Sequence, residues 1–233
     1  MMVEIWVVTF PVSRHLISVG QTWLDADETA RLTQITSPIA QDRFVACRTV
    51  LRTVLSHKMQ CAPTDFRWKY GASGKPELPG APWGFNISHS GDFGLVAVAS
   101  SAYIGVDIEG LSDRRNLNAI ARHVFHPDEL AVLESVPAGN RARFFYDIWV
   151  RKEAVTKWLG DSIFQVKQIS VLDALSSPAQ VVVDGRGAAW VLPLRISSRF
   201  AAAVAIDAAG VPECPTPDIR EWGDSLLTTT VGY

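Results

Sequence analysis

Phe93-Gly94-Leu95-Val96-Ala97-Val98-Ala99-Ser100 and Tyr103-Ile104-Gly105-Val106-Asp107-Ile108-Glu109 are the stretches on which the reading of this chain turns. From Phe93 to Val106 there is no charge, but the run is too short to span a bilayer and is broken by Gly94, Ser100, Ser101 and Gly105. Two buried β-strands with a turn near Ser100-Ser101 account for it. Side chains alternate along a strand, so Asp107 and Glu109 project from one face and Val106 and Ile108 from the other. Two carboxylates on one face repel unless a cation or water relieves them. Taken alone, the pair fits either a solvated sheet edge or a metal-facing site; the apolar strand before it puts it at the rim of a core.

Working outward, Val3 to Phe10 reads as a buried strand, and Asp25 to Thr36 as a helix with Asp25 or Asp27 as N-cap. A second helix runs from about Ile39 to Lys58, with Phe44, Cys47, Leu51, Val54 and Leu55 as its apolar stripe. Phe66 to Tyr70 reads as a strand, Gly71 to Trp83 as loop, and Asn86 to Gly91 as a polar loop. Helices are expected over Arg115–Phe125, Pro127–Val136 and Ala142–Trp158, the last stopped by Gly160. Strands are expected near Ile169–Leu172, Gln180–Val183, Trp190–Ile196 and Phe200–Ile206. The tail from Asp207 reads as either a packed strap or partly disordered. The halves echo weakly: Arg43-Phe44 and Arg143-Phe144 open the two long helices, and Arg52 falls opposite Lys152.

Composition narrows the function classes. The 233 residues suit one large domain or two small ones. A formal net charge of −2 gives no overall basic field of the kind nucleic acid attracts. Cys47, Cys61 and Cys214 show no metal-ligand or disulfide spacing and fit a reducing cytoplasm. The first residues lack the basic and apolar regions of a signal peptide.

Trp149, Glu153 and Lys157 recur every four residues, so they share a helix face. That spacing fits an exposed Glu–Lys pair beside a core Trp. It also fits a third carboxylate for an octahedral oxygen shell completed by phosphate and water, which is how magnesium is usually held. Ser88, His89 and Ser90 offer donors to a phosphate, or form an ordinary polar turn. Gly71-Ala72-Ser73-Gly74-Lys75-Pro76 fails as a phosphate loop, because position 69 is Lys and Pro76 stands where Ser or Thr is required. Arg43, Arg48 and Arg52 are a candidate phosphate cradle, although helix arginines are more often plain surface.

In order and spacing these segments resemble the Sfp-type 4′-phosphopantetheinyl transferases over about residues 31–206. Gly105 to Glu109 looks like that family's (I/V)G(I/V)D(I/V)E signature, and Trp149 to Lys157 like its WxxKEAxxK signature. Gly74-Lys75-Pro76 resembles the GKP element, Phe85 to Gly91 the FNISHSG element, and Arg43 to Arg52 the arginine helix. The resemblance implies an α+β fold, a pseudo-dimer of two similar subdomains over residues 1–102 and 103–206, with a tail over 207–233 and the ligand cleft between the halves. It implies Asp107, Glu109 and Glu153 as ligands to Mg²⁺ or Mn²⁺, and Glu153, Lys157 and Asp107 as catalytic residues. Coenzyme A would be bound by Arg43, Arg48, Gly74, Lys75, Pro76, Ser88 and His89. The implied reaction moves phosphopantetheine from coenzyme A to a serine of an apo acyl, polyketide or peptidyl carrier protein, releasing adenosine 3′,5′-bisphosphate. A monomeric cytoplasmic enzyme without nucleic-acid or membrane partners is expected; a non-catalytic adaptor that binds coenzyme A or carrier proteins is the alternative.

Overall fold

The structure is a computed structural model describing residues 1–71, 74–101, 103–112, 116–160 and 163–230. Strand β1 (Val3–Thr9) leads into helices α1 (Arg14–Trp23), α2 (Ala26–Gln34) and α3 (Pro38–Met59). The short strands β2 (Lys69–Tyr70) and β3 (Pro76–Glu77) precede the hairpin β4 (Gly84–Ser90) and β5 (Phe93–Ala99). Strand β6 (Ile104–Gly110) then leads into helices α4 (Leu117–Val124), α5 (Pro127–Ser135) and α6 (Ala138–Leu159). Strands β7 (Ala179–Val183), β8 (Gly187–Pro193) and β9 (Phe200–Asp207) follow, and β10 (Asp218–Glu221) lies in the tail. Helices and sheets are mixed as the α+β reading expects, and strand order β1-β5-β4 in one sheet parallels β6-β9-β8 in the other.

The layers follow from strand alternation. Ile5 and Val7 of β1 and Leu95 and Ala97 of β5 face the other sheet, where Val106, Ile108, Val204 and Ile206 meet them. On the outer face of the first sheet, Trp6, Val8, Val96 and Val98 pack under Val50, Leu51 and Leu55 of α3. On the outer face of the second, Ala201, Ala203 and Ala205 pack under Phe145, Ala154, Val155 and Trp158 of α6. Small residues let α6 lie close to that sheet, and Gly105 is the tightest point. A Cβ there would stand 2.0 Å from the Ala154 carbonyl oxygen and 2.4 Å from the Trp158 nitrogen.

Each long helix is tied to a short one through a fully buried glutamate. Glu28 and Glu129 are both third-position residues of capping boxes, closed by Asp25 on α2 and His126 on α5. Glu28 also pairs with Arg52 of α3, and Glu129 with Lys152 of α6 at 3.0 Å. Arg52 and Lys152, which fall opposite each other in the sequence echo, therefore hold corresponding positions. Breaking either pair would strand a buried charge, at a cost of about 3–5 kcal/mol.

Several local expectations are corrected. Asn86 to Ser90 forms strand β4 rather than a loop, because it pairs along β5 from Gly84↔Ala99 to Ser90↔Phe93. Helix α1, absent from the sequence reading, starts at Ser13, whose hydroxyl accepts from the Leu16 N–H at 3.1 Å. Only Lys69 and Tyr70 of the Phe66–Tyr70 run are strand, and 3₁₀ turns at Ile163–Gln168 and Leu172–Ala174 stand where Ile169–Leu172 was expected as one. Helix α6 begins at Ala138, four residues before the expected Ala142. Ala72-Ser73 of the expected loop, Ala102 beside the expected turn, and Arg115 at the start of the expected Arg115–Phe125 helix lie outside the described residues. The tail is a packed strap: β10 pairs parallel with β1, Trp222 meets Trp6 edge-on at 6.1 Å, and Leu227 is buried near Leu16 and Ile17. It covers an edge that would otherwise be open to pairing with another chain.

Replacing Gly105 with Ala drives a methyl group into the backbone of α6, which cannot yield as a side chain would. Urea unfolding of Gly105→Ala should show a stability loss of at least about 3 kcal/mol, at the upper end for overpacking. A loss under about 1 kcal/mol would contradict this packing.

Candidate active site

A cleft of about 710 Å³ opens where α2 and α3, the Lys75 loop, β4, β6 and α6 converge. That volume suits a cofactor-sized ligand. Asp107 and Glu109 come from β6, and Trp149, Glu153 and Lys157 from one face of α6. Arg48, Gly74, Lys75, Pro76, Ser88 and His89 also line it. Arg43 lies off the wall, its guanidinium 5.6 Å from the Phe10 ring, but near enough to His89 for its charge to act there. Among the described residues, no group of three or more His, Cys, Asp or Glu side chains is gathered closely enough to hold a metal ion.

The carboxylates are placed by β4. Strands β4 and β6 belong to different sheets, and they meet through side chains. Asn86 Oδ1 accepts from Val106 N–H at 3.0 Å, Ser88 Oγ from Ile108 N–H at 3.4 Å, and Ser90 Oγ from Gly110 N–H at 3.1 Å. The constant offset of 20 residues shows two strands running side by side in register. The same serines donate forward: Ser88 to Asp107 Oδ1 at 2.8 Å and Ser90 to Glu109 Oε2 at 3.0 Å. Ser88 thus commits its single proton to Asp107. Asn86 has no role in the sequence reading and Ser90 only that of a candidate phosphate donor, because the segment reads as a polar turn; the spacing of Asn86, Ser88 and Ser90 by two, on one strand face, is the signal that marks them.

Asp107 is 4% exposed, and its charge is met by Lys157 Nζ at 2.7 Å on Oδ1. Its Oδ2 is buried without a hydrogen-bond partner. Such an oxygen is costly unless something else meets it. Glu153 is pushed up from its ordinary 4.5 to about 7, first by burial and then by the negative charge of Asp107 and Glu109, against the opposing pull of Lys157. Asp107, Glu109 and Glu153 therefore share one wall with Lys157, which is salt-bridged to Asp107.

The basic side of the cleft is partly spoken for. Lys75 Nζ donates to the carbonyls of Ile104 at 3.0 Å and Lys157 at 2.6 Å, so it clamps its loop to β6 and to the carbonyl end of α6. Burial lowers its pKa to about 8. Arg48 is 6% exposed and leans on Glu28 at 3.4 Å, while its Nη1 stays buried without a partner. Burial is also the main reason its pKa is lowered. His89 stands on the open wall of the cleft; crowding by protein, with the charges of Arg43 and Lys157, holds its pKa below the ordinary imidazole value. It is therefore neutral near pH 7, able to donate one hydrogen bond and accept another. Cys47 lines the cleft too, but burial raises its thiol to about 12, which leaves it inert as a nucleophile.

Comparisons with known proteins identify a family. The sequence profile of the 4′-phosphopantetheinyl transferase superfamily matches residues 103–205. The 4′-phosphopantetheinyl transferase HetI of Nostoc sp. is 30% identical over 213 residues, covering 89% of each chain. The slr0495 protein of Synechocystis sp. is 35% identical over 164 residues, 69% of this chain and 65% of its own. The 4′-phosphopantetheinyl transferase AcpT of Escherichia coli O157:H7 is 35% identical over 119 residues, 51% of this chain and 60% of its own. The chain belongs to the 4′-phosphopantetheinyl transferase superfamily, a family of transferase enzymes. Among the described residues, no helix is long and apolar enough to cross a membrane.

The raised Glu153 pKa has a stability consequence. Between its ordinary 4.5 and about 7 the folded protein binds more protons here than the unfolded chain does. The contribution of this group is then full below that window and is lost as pH rises through about 7. In metal-free buffer, Glu153→Gln should be stabilised relative to the wild type at pH 8, with the difference shrinking toward pH 4. Urea midpoints at the two pH values read this out. A difference independent of pH would contradict the repulsion among the carboxylates.

Proposed function

We propose that this protein transfers the 4′-phosphopantetheine group of coenzyme A to a serine of an apo acyl, polyketide or peptidyl carrier protein. The observation that carries this reading is the carboxylate wall: Asp107 with a buried, unpartnered Oδ2, beside Glu109 and a Glu153 that resists ionising. Hard oxygen donors of this kind fit Mg²⁺ or Mn²⁺, which Asp107, Glu109 and Glu153 would hold. When bound, that ion would neutralise charge on the diphosphate of coenzyme A.

The chain's own residues supply the rest. Glu153 would accept the proton of the attacking serine hydroxyl, directly or through water. The serine oxygen bonds to the β-phosphorus, the bridging P–O bond breaks, and adenosine 3′,5′-bisphosphate leaves. Lys157 fixes Asp107 and adds positive charge where the phosphate oxygens gain negative charge. Arg43, Arg48, Gly74, Lys75, Pro76, Ser88 and His89 would receive the adenosine end of coenzyme A. Arg48 Nη1 has unused donor capacity for a phosphate. The two halves, divided near residue 102, are read as two copies of one unit with coenzyme A between them. We place the protein in the cytoplasm, in keeping with its free cysteines, and read it as a monomer.

Intact-protein mass spectrometry of an apo-acyl carrier protein with coenzyme A and Mg²⁺ tests this. The expected result is a gain of one phosphopantetheine mass that EDTA abolishes. Glu153→Gln and Asp107→Asn should each slow the gain by at least about 10²-fold. No gain on acyl, polyketide or peptidyl carriers, with coenzyme A still bound, would favour a non-catalytic adaptor.

A further inference from the structure

We propose that Ser90 is a positioning residue for the carboxylate wall: its hydroxyl, anchored on the Gly110 amide, holds Glu109 in the orientation needed to bind a divalent cation. The inference rests on the reading of Asp107, Glu109 and Glu153 as the metal-holding set. In this role Ser90 acts through Glu109, to which its hydroxyl donates.

Three observations converge on it. Ser90 Oγ accepts from Gly110 N–H at 3.1 Å and donates to Glu109 Oε2 at 3.0 Å, so the hydroxyl bridges two adjacent residues of β6 from a strand of the other sheet. A hydroxyl whose lone pair is already engaged has its proton direction largely set, which converts backbone position into carboxylate orientation. Ser90 is itself fixed. It pairs with Phe93 across a two-residue turn whose first residue, Gly91, has φ +52°, and the Phe10 N–H bonds the Asp92 carbonyl at 2.8 Å. A Cβ on Gly91 would meet the Phe200 ring at 3.1 Å, so a larger residue there would crowd that ring.

Ser88 makes the corresponding bond to Asp107, which Lys157 also contacts. Substituting Ser90 tests the seam between the sheets at a residue that does not bond the lysine. Oxygen partners behind a metal ligand typically contribute 10–100-fold to metal affinity.

Titrating the full-length protein with Mn²⁺, and following the free ion by electron paramagnetic resonance, reads this directly. Ser90→Ala should weaken Mn²⁺ binding by about tenfold or more, and Ser90→Thr, which keeps the hydroxyl, should stay within about twofold of the wild type. Coenzyme A affinity measured in EDTA should be unchanged in both. Should Ser90→Ala fail to fold, Ser90→Cys, with its weak donor, takes its place. Wild-type Mn²⁺ affinity in Ser90→Ala, or an equal loss in Ser90→Thr, would overturn the positioning role alone. A wild-type protein that binds no Mn²⁺ would overturn both this role and the metal-site reading beneath it.

Discussion

The polar seam between β4 and β6 is the constraint on which the rest depends. Two sheets packed face to face leave the edges of β4 and β6 adjoining, and the amides of Val106, Ile108 and Gly110 need partners. An unpaired buried amide is expensive. Backbone pairing there would merge the sheets into one. Asn86, Ser88 and Ser90 instead satisfy the amides with side-chain oxygens, which preserves a gap between the halves and leaves the serine protons free to orient Asp107 and Glu109. One set of hydrogen bonds thus holds the halves in register and aims the functional groups.

The second wall of the site is set by the close approach of α6. Gly105 lets the helix backbone come down onto β6, and that depth puts Glu153 and Lys157 level with Asp107. The cost is visible in Glu153, whose ionisation is opposed by burial and by two neighbouring carboxylates. The buried pairs Glu28–Arg52 and Glu129–Lys152 tie α3 to α2 and α6 to α5.

Much of this was legible in the sequence, and the reasons differ by element. Strand alternation placed Asp107 and Glu109 on one face, and a spacing of four put Trp149, Glu153 and Lys157 on one helix face; both are local geometry and both line the cleft. Gly160 ends α6 with φ +69°, as a glycine beyond a helix end should. Strand β4 was not legible, because its polar face pairs with a strand twenty residues on rather than with solvent. Strand β10 was hidden for a similar reason: four exposed residues become strand only because β1 offers an edge. The partners of Arg48 and Lys75 were equally hidden, since Glu28 and the carbonyls of Ile104 and Lys157 reach them only through tertiary packing.

The central claim is that β4, β6 and α6 together build a wall of three carboxylates that receives one divalent cation beside coenzyme A. A crystal grown with Mn²⁺ and coenzyme A, with its anomalous difference map, tests it most directly. One manganese peak coordinated by Asp107, Glu109 and Glu153 and in contact with the diphosphate is the predicted result. Coenzyme A bound in the cleft with no manganese peak, or with manganese held by other residues, would contradict it.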